Sequence, residues 1–318
     1  MELQEKGPVA ALKNARRPWL TDGGLETAMI FDEGFVLPAF AAFTLIDDRK
    51  GREALRRYYA RFLDIARRAG TGFVLDTPTW RASTIWGGAL GLTARQVADV
   101  NRRCAAFVRE IAESEAAAGV PVIVNGVIGP LGDGYVAEQT RSARKAEAVH
   151  KAQISALAEA GVDTISGVTM THVEEAIGLA RAGQGMHLPT VISFTVETDG
   201  RLPSGQSLED AIGMTEAATG GSVLHYMINC AHPDHFLPVL RQGGGWRQRI
   251  GGLRVNASRM SHAELDAADD LDAGNPAELG AAHAELLTLL PNVRVIGGCC
   301  GTDHRHVACM AETVCYAA

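Results

Sequence analysis

The chain has 318 residues, of which 47% are hydrophobic and 21% charged, and a formal net charge of -7. That length supports a large core, and the acidic balance argues against a broad nucleic-acid surface. Six cysteines in so long a chain do not make a disulfide framework, and no apolar run is long enough to span a bilayer. The first residues, MELQEKGPVAALKNARRPW, lack the apolar core of a secretory leader, so a reducing, cytoplasmic setting is the expectation.

Residues 1–17 are polar and mixed in charge and read as a surface arm. A short first strand, around Trp19 to Asp22, runs into Asp22-Gly23-Gly24-Leu25-Glu26-Thr27. Residues 50–69 carry apolar side chains at helical spacing, with Gly70 as the stop, and residues 72–77 form a second buried strand. Thr93 and Gln96 make a capping box that opens a helix to about residue 118. Residues 120–125 are a third strand, followed by a glycine-rich loop over 126–134. A helix over 140–160 stops at Gly161, and strand four follows at 162–166. Thr171 and Glu174 read as a second capping box, for a helix to about residue 182. Strand five is 189–194, Ser207 caps the next helix, and strands six and seven are 223–230 and 249–255. Asn275-Pro276-Ala277-Glu278 has an N-cap, a proline at N1 and an acid at N3. Its helix runs to Leu290, and residues 293–296 are strand eight.

Strand and helix thus alternate about eight times with no compositional break. The strands are short and apolar on both faces, as a covered parallel sheet requires. The reading is an α/β protein, a single (βα)8 TIM barrel over residues 1–318, with its catalytic site at the C-terminal ends of the strands. A doubly wound open sheet is the alternative. No GxGxxG follows the first strand, which argues against dinucleotide binding.

The chemistry-bearing residues fall at the strand ends: Asp22, Thr77 to Arg81, Asn125, Asn229-Cys230, Asn256 and Cys299-Cys300. The most informative is Gly297-Gly298-Cys299-Cys300-Gly301. Adjacent residues of a strand point to opposite faces, so both sulfurs reach one point only where the backbone turns sharply, as glycine permits. Together with Cys230 they form a candidate set of three thiolates suited to tetrahedral zinc with a fourth position open. The residues alone leave other readings open. Lone cysteines are usually buried hydrophobes, as read for Cys104, Cys309 and Cys315, and a vicinal pair can be a redox switch. Asp22-Gly23-Gly24 is equally a tight turn. Asn125 and Asn229 either donate to substrate or tie strand ends together. Glu26 is a solvated acid, a helix-start acid or a site residue. His172 and His232 stand at no ligand spacing and read as surface or capping groups.

Over nearly its whole length the chain resembles the homocysteine S-methyltransferase family. The resemblance rests on DGGLET (22–27), TPTWRAS (77–83), SFT (193–195), the stretch from Asp199 to Leu208, INC (228–230) and GGCCGT (297–302). It implies a (βα)8 barrel, zinc held by Cys230, Cys299 and Cys300, and Asp22 as the acid that meets the homocysteine ammonium. The Gly23 and Gly24 amides would lie close to the amino-acid end. The implied activity is attack of a zinc-activated thiolate on the methyl group of an onium donor, giving methionine from homocysteine. A free thiol is mostly protonated at neutral pH, and metal coordination removes that proton. The implied partners are a small-molecule thiol and a methyl donor, with neither nucleic acid nor membrane.

Two positions depart from the family pattern. The glutamate that commonly ends strand four falls at Val168, which offers no charge to an ammonium; Glu26 and Glu197 are candidates to replace it. Betaine-dependent members have a tyrosine where this chain has Arg81. Beside Trp80, a guanidinium would repel a quaternary cation. A sulfonium donor such as S-methylmethionine is therefore favoured over betaine, with Arg81 available to a donor carboxylate. Three competing readings stand: a catalytically silent zinc-binding or thiol-sensing barrel, a methyltransferase for a different thiol, and the 297–301 loop as a phosphate cradle.

Overall fold

The eight apolar segments pair with their sequence neighbours, and the computed structural model closes them into one parallel barrel in the order β1 to β8. Residues 7–137 and 141–315 are described. The strands are β1 (Trp19–Leu20), β2 (Phe73–Asp76), β3 (Val122–Ile128), β4 (Thr164–Met170), β5 (Thr190–Thr195), β6 (Val223–Asn229), β7 (Ile250–Val255) and β8 (Val295–Gly298). The helices are α1 (Pro8–Lys13), α2 (Leu25–Thr27), α3 (Arg49–Ala69), α4 (Thr84–Ala89), α5 (Ala94–Ala117), α6 (Ala143–Glu159), α7 (Val173–Gly185), α8 (Leu208–Thr219), α9 (Pro233–Arg241), α10 (His262–Asp266), α11 (Pro276–Leu289) and α12 (His304–Cys315). Among the described residues, no helix is long and apolar enough to cross a membrane.

Local chemistry accounts for most element ends. Asp48 accepts the Gly51 N–H at 2.9 Å to open α3, and Gly70, at φ 61°, closes it. Between these ends α3 buries Leu55, Tyr59, Phe62 and Leu63 against the sheet. The Thr93–Gln96 capping box forms as expected, and Asn275 accepts the Ala277 and Glu278 amides to start α11. The Thr171–Glu174 box does not form. Because β4 runs on to Met170, α7 starts after His172 with no side-chain cap. The Thr171 hydroxyl instead lies 3.3 Å from His172 Nδ1.

The third and fourth strands run on to Ile128 and Met170, past the expected ends at 125 and 166, through Gly126 and Gly167. Each glycine sits within its strand. A Cβ at Gly126 would come within 2.9 Å of Leu157, and one at Gly167 within 2.7 Å of Leu179. These glycines mark close packing of helix on strand rather than turns.

The expected surface arm is, over residues 8–13, a docked helix. Val9 and Leu12 of α1 are buried in a cluster with Trp19, Val74, Ile123 and Val295 at the N-terminal end of the barrel. The opposite end, where the strands finish, collects the polar and sulfur-bearing side chains.

Candidate metal centre

The sulfur cluster is built by backbone constraint. The Cys299 N–H donates to Val255 O at 2.8 Å, so the first cysteine still belongs to the β7–β8 ladder. The chain then reverses at Gly301, φ 75°. Gly24 packs so closely that a Cβ there would stand 2.7 Å from Cys299 O. On the other side, Cys230 follows β6 in the left-handed region at φ 51°, a conformation costing a non-glycine residue about 1–3 kcal/mol. Two bonds hold it there: its N–H donates to Arg254 O at 3.1 Å, and its carbonyl accepts from His262 Nε2 at 2.7 Å.

The outcome is a group of three sulfurs, Cys230, Cys299 and Cys300, all within 4.8 Å of one another. Cys230 and Cys299 are joined as a disulfide, with Cα atoms 5.4 Å apart. The Cys230 and Cys300 sulfurs lie 3.9 Å apart. Two thiolates bound at about 2.3 Å to one tetrahedral centre stand about 3.8 Å apart, so this pair already has metal-ligand spacing. Reduction of the disulfide would free the third sulfur in the same frame. Burial raises the Cys300 thiol above its usual range, an effect that a bound cation would reverse. The donor set fits a soft divalent metal. Cys104 and Cys315 are buried, Cys309 is half-buried, and none belongs to the cluster.

Below the sulfurs lies an ion cluster that the sequence reading missed. Arg254 of β7 points into the barrel. Its two terminal nitrogens pair with Asp76 and Asp22, and its Nε donates to Gly298 O at 3.1 Å. Asp76 also accepts from Asn125 Nδ2 at 2.7 Å, while Asn125 Oδ1 accepts from Thr164 and Ser166 at 2.8 and 2.9 Å. Asn125 therefore does not end its strand. It sits within β3 and knits the barrel interior through these three bonds. Asp22 is 1% exposed, and burial lifts its carboxyl to about 6 against the opposing pull of Arg254.

Several expected substrate contacts are likewise already engaged. The Gly24 N–H donates to Thr302 O at 3.0 Å, and Gly23 O accepts from Arg254. Asn229 accepts from Ser193 Oγ at 2.6 Å and from the Thr169 N–H at 3.0 Å, and donates to Thr169 Oγ1 at 2.9 Å. It ties strand ends, and its Nδ2 stands 4.0 Å from the Cys299 sulfur. Glu26 differs from these. It is half-buried on α2, makes no hydrogen bond with another described side chain, and is raised to about 7, chiefly by burial. Val168 is buried on β4 and presents no polar side-chain atom. Glu197 is bound to His262 Nδ1 at 3.0 Å.

The loop over residues 129–136 covers one side of the mouth. Tyr135 donates its hydroxyl to the Cys300 sulfur at 3.3 Å and stacks on His262 with ring centroids 4.2 Å apart. The loop is pinned at Leu131, whose N–H donates to Glu175 at 2.7 Å; His150 Nε2 stands 2.9 Å from the same oxygen. Trp80 and Trp86 flank Arg81, and their indole N–H groups donate to Val168 O and Pro130 O. His172 and His232 are buried rather than on the surface. His232 accepts the Asp234 N–H to cap α9 and is lowered to about 4, first by burial.

Of the residues missed, Arg254 had a signal: it is a lone charge inside the apolar run Ile250–Val255. Asp76 closes Phe73–Asp76 in the same way. Tyr135 and His262 gave none, since each acts through a contact formed by folding.

Fold and cluster together define a class: a (βα)8 barrel carrying three convergent cysteine sulfurs at the C-terminal mouth. The homocysteine S-methyltransferase family profile matches residues 19–314. The chain belongs to that family, and so to the methyltransferases. Among solved structures it is similar to the homocysteine methyltransferase MmuM from Escherichia coli. The metallated form superposes with a TM-score of 0.75 at 22% identity, covering 96% of this chain and 99% of that one. The oxidized form gives 0.75 at 21% identity with the same coverage. The apo form gives 0.70 at 22%, covering 96% of this chain and 100% of that one. At this identity the likeness is one of fold. The comparison with curated proteins found no match.

Proposed function

We propose that the chain is a zinc-dependent thiol S-methyltransferase that converts homocysteine to methionine, with a sulfonium donor such as S-methylmethionine rather than betaine. The observation that carries this reading is the convergence of the Cys230, Cys299 and Cys300 sulfurs at the barrel mouth. Zinc held by these three would supply the Lewis acidity that keeps an acceptor thiol deprotonated at neutral pH. The chain's own groups do the rest. Asp22 and Asp76 carry two negative charges against the single positive charge of Arg254, so the interior offers a net negative field to the acceptor's ammonium. Glu26, without a hydrogen-bonding side-chain partner, adds a carboxylate on the same side and stands in for the acid missing at Val168. Tyr135 and His262 close over the sulfurs and limit water at the reacting thiolate. Arg81, buried beside Trp80, is available to a donor carboxylate. A neutral thioether leaves once the donor has lost its methyl group.

The whole chain acts as one barrel unit on small molecules, in a reducing, cytoplasmic setting that keeps Cys230 and Cys299 as thiols. Protein reduced and loaded with zinc should hold about one ion per chain, consistent with a single three-sulfur site. It should form methionine from homocysteine and S-methylmethionine. If such protein makes no thioether from a panel of thiols and onium donors, the reading fails. Val168 favours a second reading, a thiol-sensing barrel without turnover. That reading requires an inactive parent and activity gained in Val168→Glu.

A further inference from the structure

Arg81, at the turn after β2, is placed with more care than charge repulsion alone requires. It is 6% exposed. Its guanidinium carbon lies 4.0 Å from the Trp80 ring centroid and 3.9 Å from that of Trp86. Both indoles are fixed by hydrogen bonds to Val168 O and Pro130 O, at 3.2 and 3.0 Å. The loop packs against Trp80, where a Cβ at Gly129 would stand 2.7 Å from the indole. Neither the plane nor the rotamer of the guanidinium is free to change, so the group is held in advance of any ligand.

Of its nitrogens, Nη1 donates to Gly132 O at 2.9 Å. Nε is fully buried and has no hydrogen-bond partner among the described residues, and Nη2 donates to none of them. Asp133, the leading charge that supports Arg81, directs a carboxylate oxygen to the Tyr135 and Val136 amides, at 2.7 and 3.1 Å. Nε and Nη2 form the side edge of the guanidinium. Their N–H bonds run parallel and match the two oxygens of a carboxylate. Buried charged donors in folded proteins ordinarily have partners, and this edge has none in the chain's described residues. Arg81 stands beside the mouth. The loop over 129–136 that receives the Nη1 bond also carries Tyr135, whose hydroxyl is 3.3 Å from the Cys300 sulfur.

We propose that the Nε–Nη2 edge of Arg81, clamped between Trp80 and Trp86, is a carboxylate subsite of the barrel mouth. At least one of the two substrates is therefore taken as an α-amino acid with its carboxylate on this edge. The inference rests on the methyl-transfer reading for which substrate carries the carboxylate, but its binding test does not require turnover.

The test is calorimetric titration of the full-length, reduced, zinc-loaded chain with S-methylmethionine and with homocysteine. Each is compared with its decarboxylated counterpart, (3-aminopropyl)dimethylsulfonium and 3-aminopropanethiol. Arg81→Gln should weaken one of the two carboxylate ligands by about tenfold to a hundredfold and leave its decarboxylated counterpart within about twofold. Arg81→Lys, which keeps the charge but not the edge, should weaken the same ligand by less. The ligand that loses affinity identifies the donor or the acceptor as the source. If Arg81→Gln melts well below the parent, Arg81→Lys alone decides. Unchanged affinity for both carboxylate ligands overturns the proposal. So does a parent that binds them no better than their decarboxylated counterparts. A failed methyl-transfer reading shows separately, as no methionine from a parent that binds both ligands.

Discussion

The two sides of the barrel mouth are made differently. Where β6 and β8 end, the sulfurs are placed by backbone: a left-handed Cys230, a reversal at Gly301, and glycines packed against the carbonyls of the cysteine loop. Where β2 and β4 end, side chains do the placing: Trp80 and Trp86 flank Arg81, and Val168 is buried nearby on β4, its carbonyl accepting the Trp80 indole N–H. Backbone constraint tolerates little substitution, whereas a side-chain pocket can be rewritten one residue at a time. On the proposed function, activation of the thiol and choice of substrate would then be separable.

Substitutions can break that separation, beginning with the largest effect. Cys299→Ala should reduce bound zinc to near zero and methionine formation by at least about a thousandfold, read by metal analysis and product assay. A variant that kept its zinc would remove Cys299 from the ligand set. Arg254→Leu leaves Asp22 and Asp76 buried without their cation and should destabilise the fold by about 3–5 kcal/mol in denaturant unfolding. Leu12→Ala, at the far end of the barrel, should cost about 2–4 kcal/mol while sparing zinc binding. If it also lost the metal, the two ends would not be independent.

A gentler test uses pH. Burial raises the Glu26 carboxyl from 4.5 to about 7. The folded state therefore binds this proton more tightly than the unfolded chain. The favourable contribution is complete below pH 4.5 and is lost as pH rises through about 7. Glu26→Gln should unfold at higher denaturant than the parent near pH 8, by about 3 kcal/mol, with the gap shrinking toward pH 5. A gap that stays constant with pH would show that Glu26 is not desolvated. Smallest of all, Tyr135→Phe removes the O–H···S bond to Cys300 and should slow turnover only severalfold, leaving zinc stoichiometry unchanged.

The barrel itself was legible because its signals are local. Apolar runs, the Thr93–Gln96 box, the Gly70 stop and the Asn275-Pro276 start each act within one turn or strand. The reading faltered where a residue type serves a distant partner. The expected strands stop short of Gly126 and Gly167, because the Leu157 and Leu179 side chains packed against these glycines lie on other elements. Thr171 looked like a cap because the true end of β4 was out of view. In the site, the GGCCGT and INC stretches marked the sulfurs, but the engagement of Asp22 by Arg254, 232 residues away, depends on closure of the barrel. Between the two readings open for Asn125 and Asn229, substrate donor or strand tie, the bonds that make them ties also form only on this closure.

A hoop is weakest at its join, and here the join is thin. β1 has two residues, meeting β2 at one register pair and β8 at two. Arg254 braces this join from within, reaching Asp22 just after β1, Asp76 on β2 and the Gly298 carbonyl of β8. The side chain that balances charge beneath the sulfurs is thus also the strap across the seam. Slackening there would part the cysteine-bearing loop from Asp22 before any helix had moved. Amide hydrogen exchange at Thr21 and Gly298, compared with the interior of β5, would show whether the ring opens first at this seam.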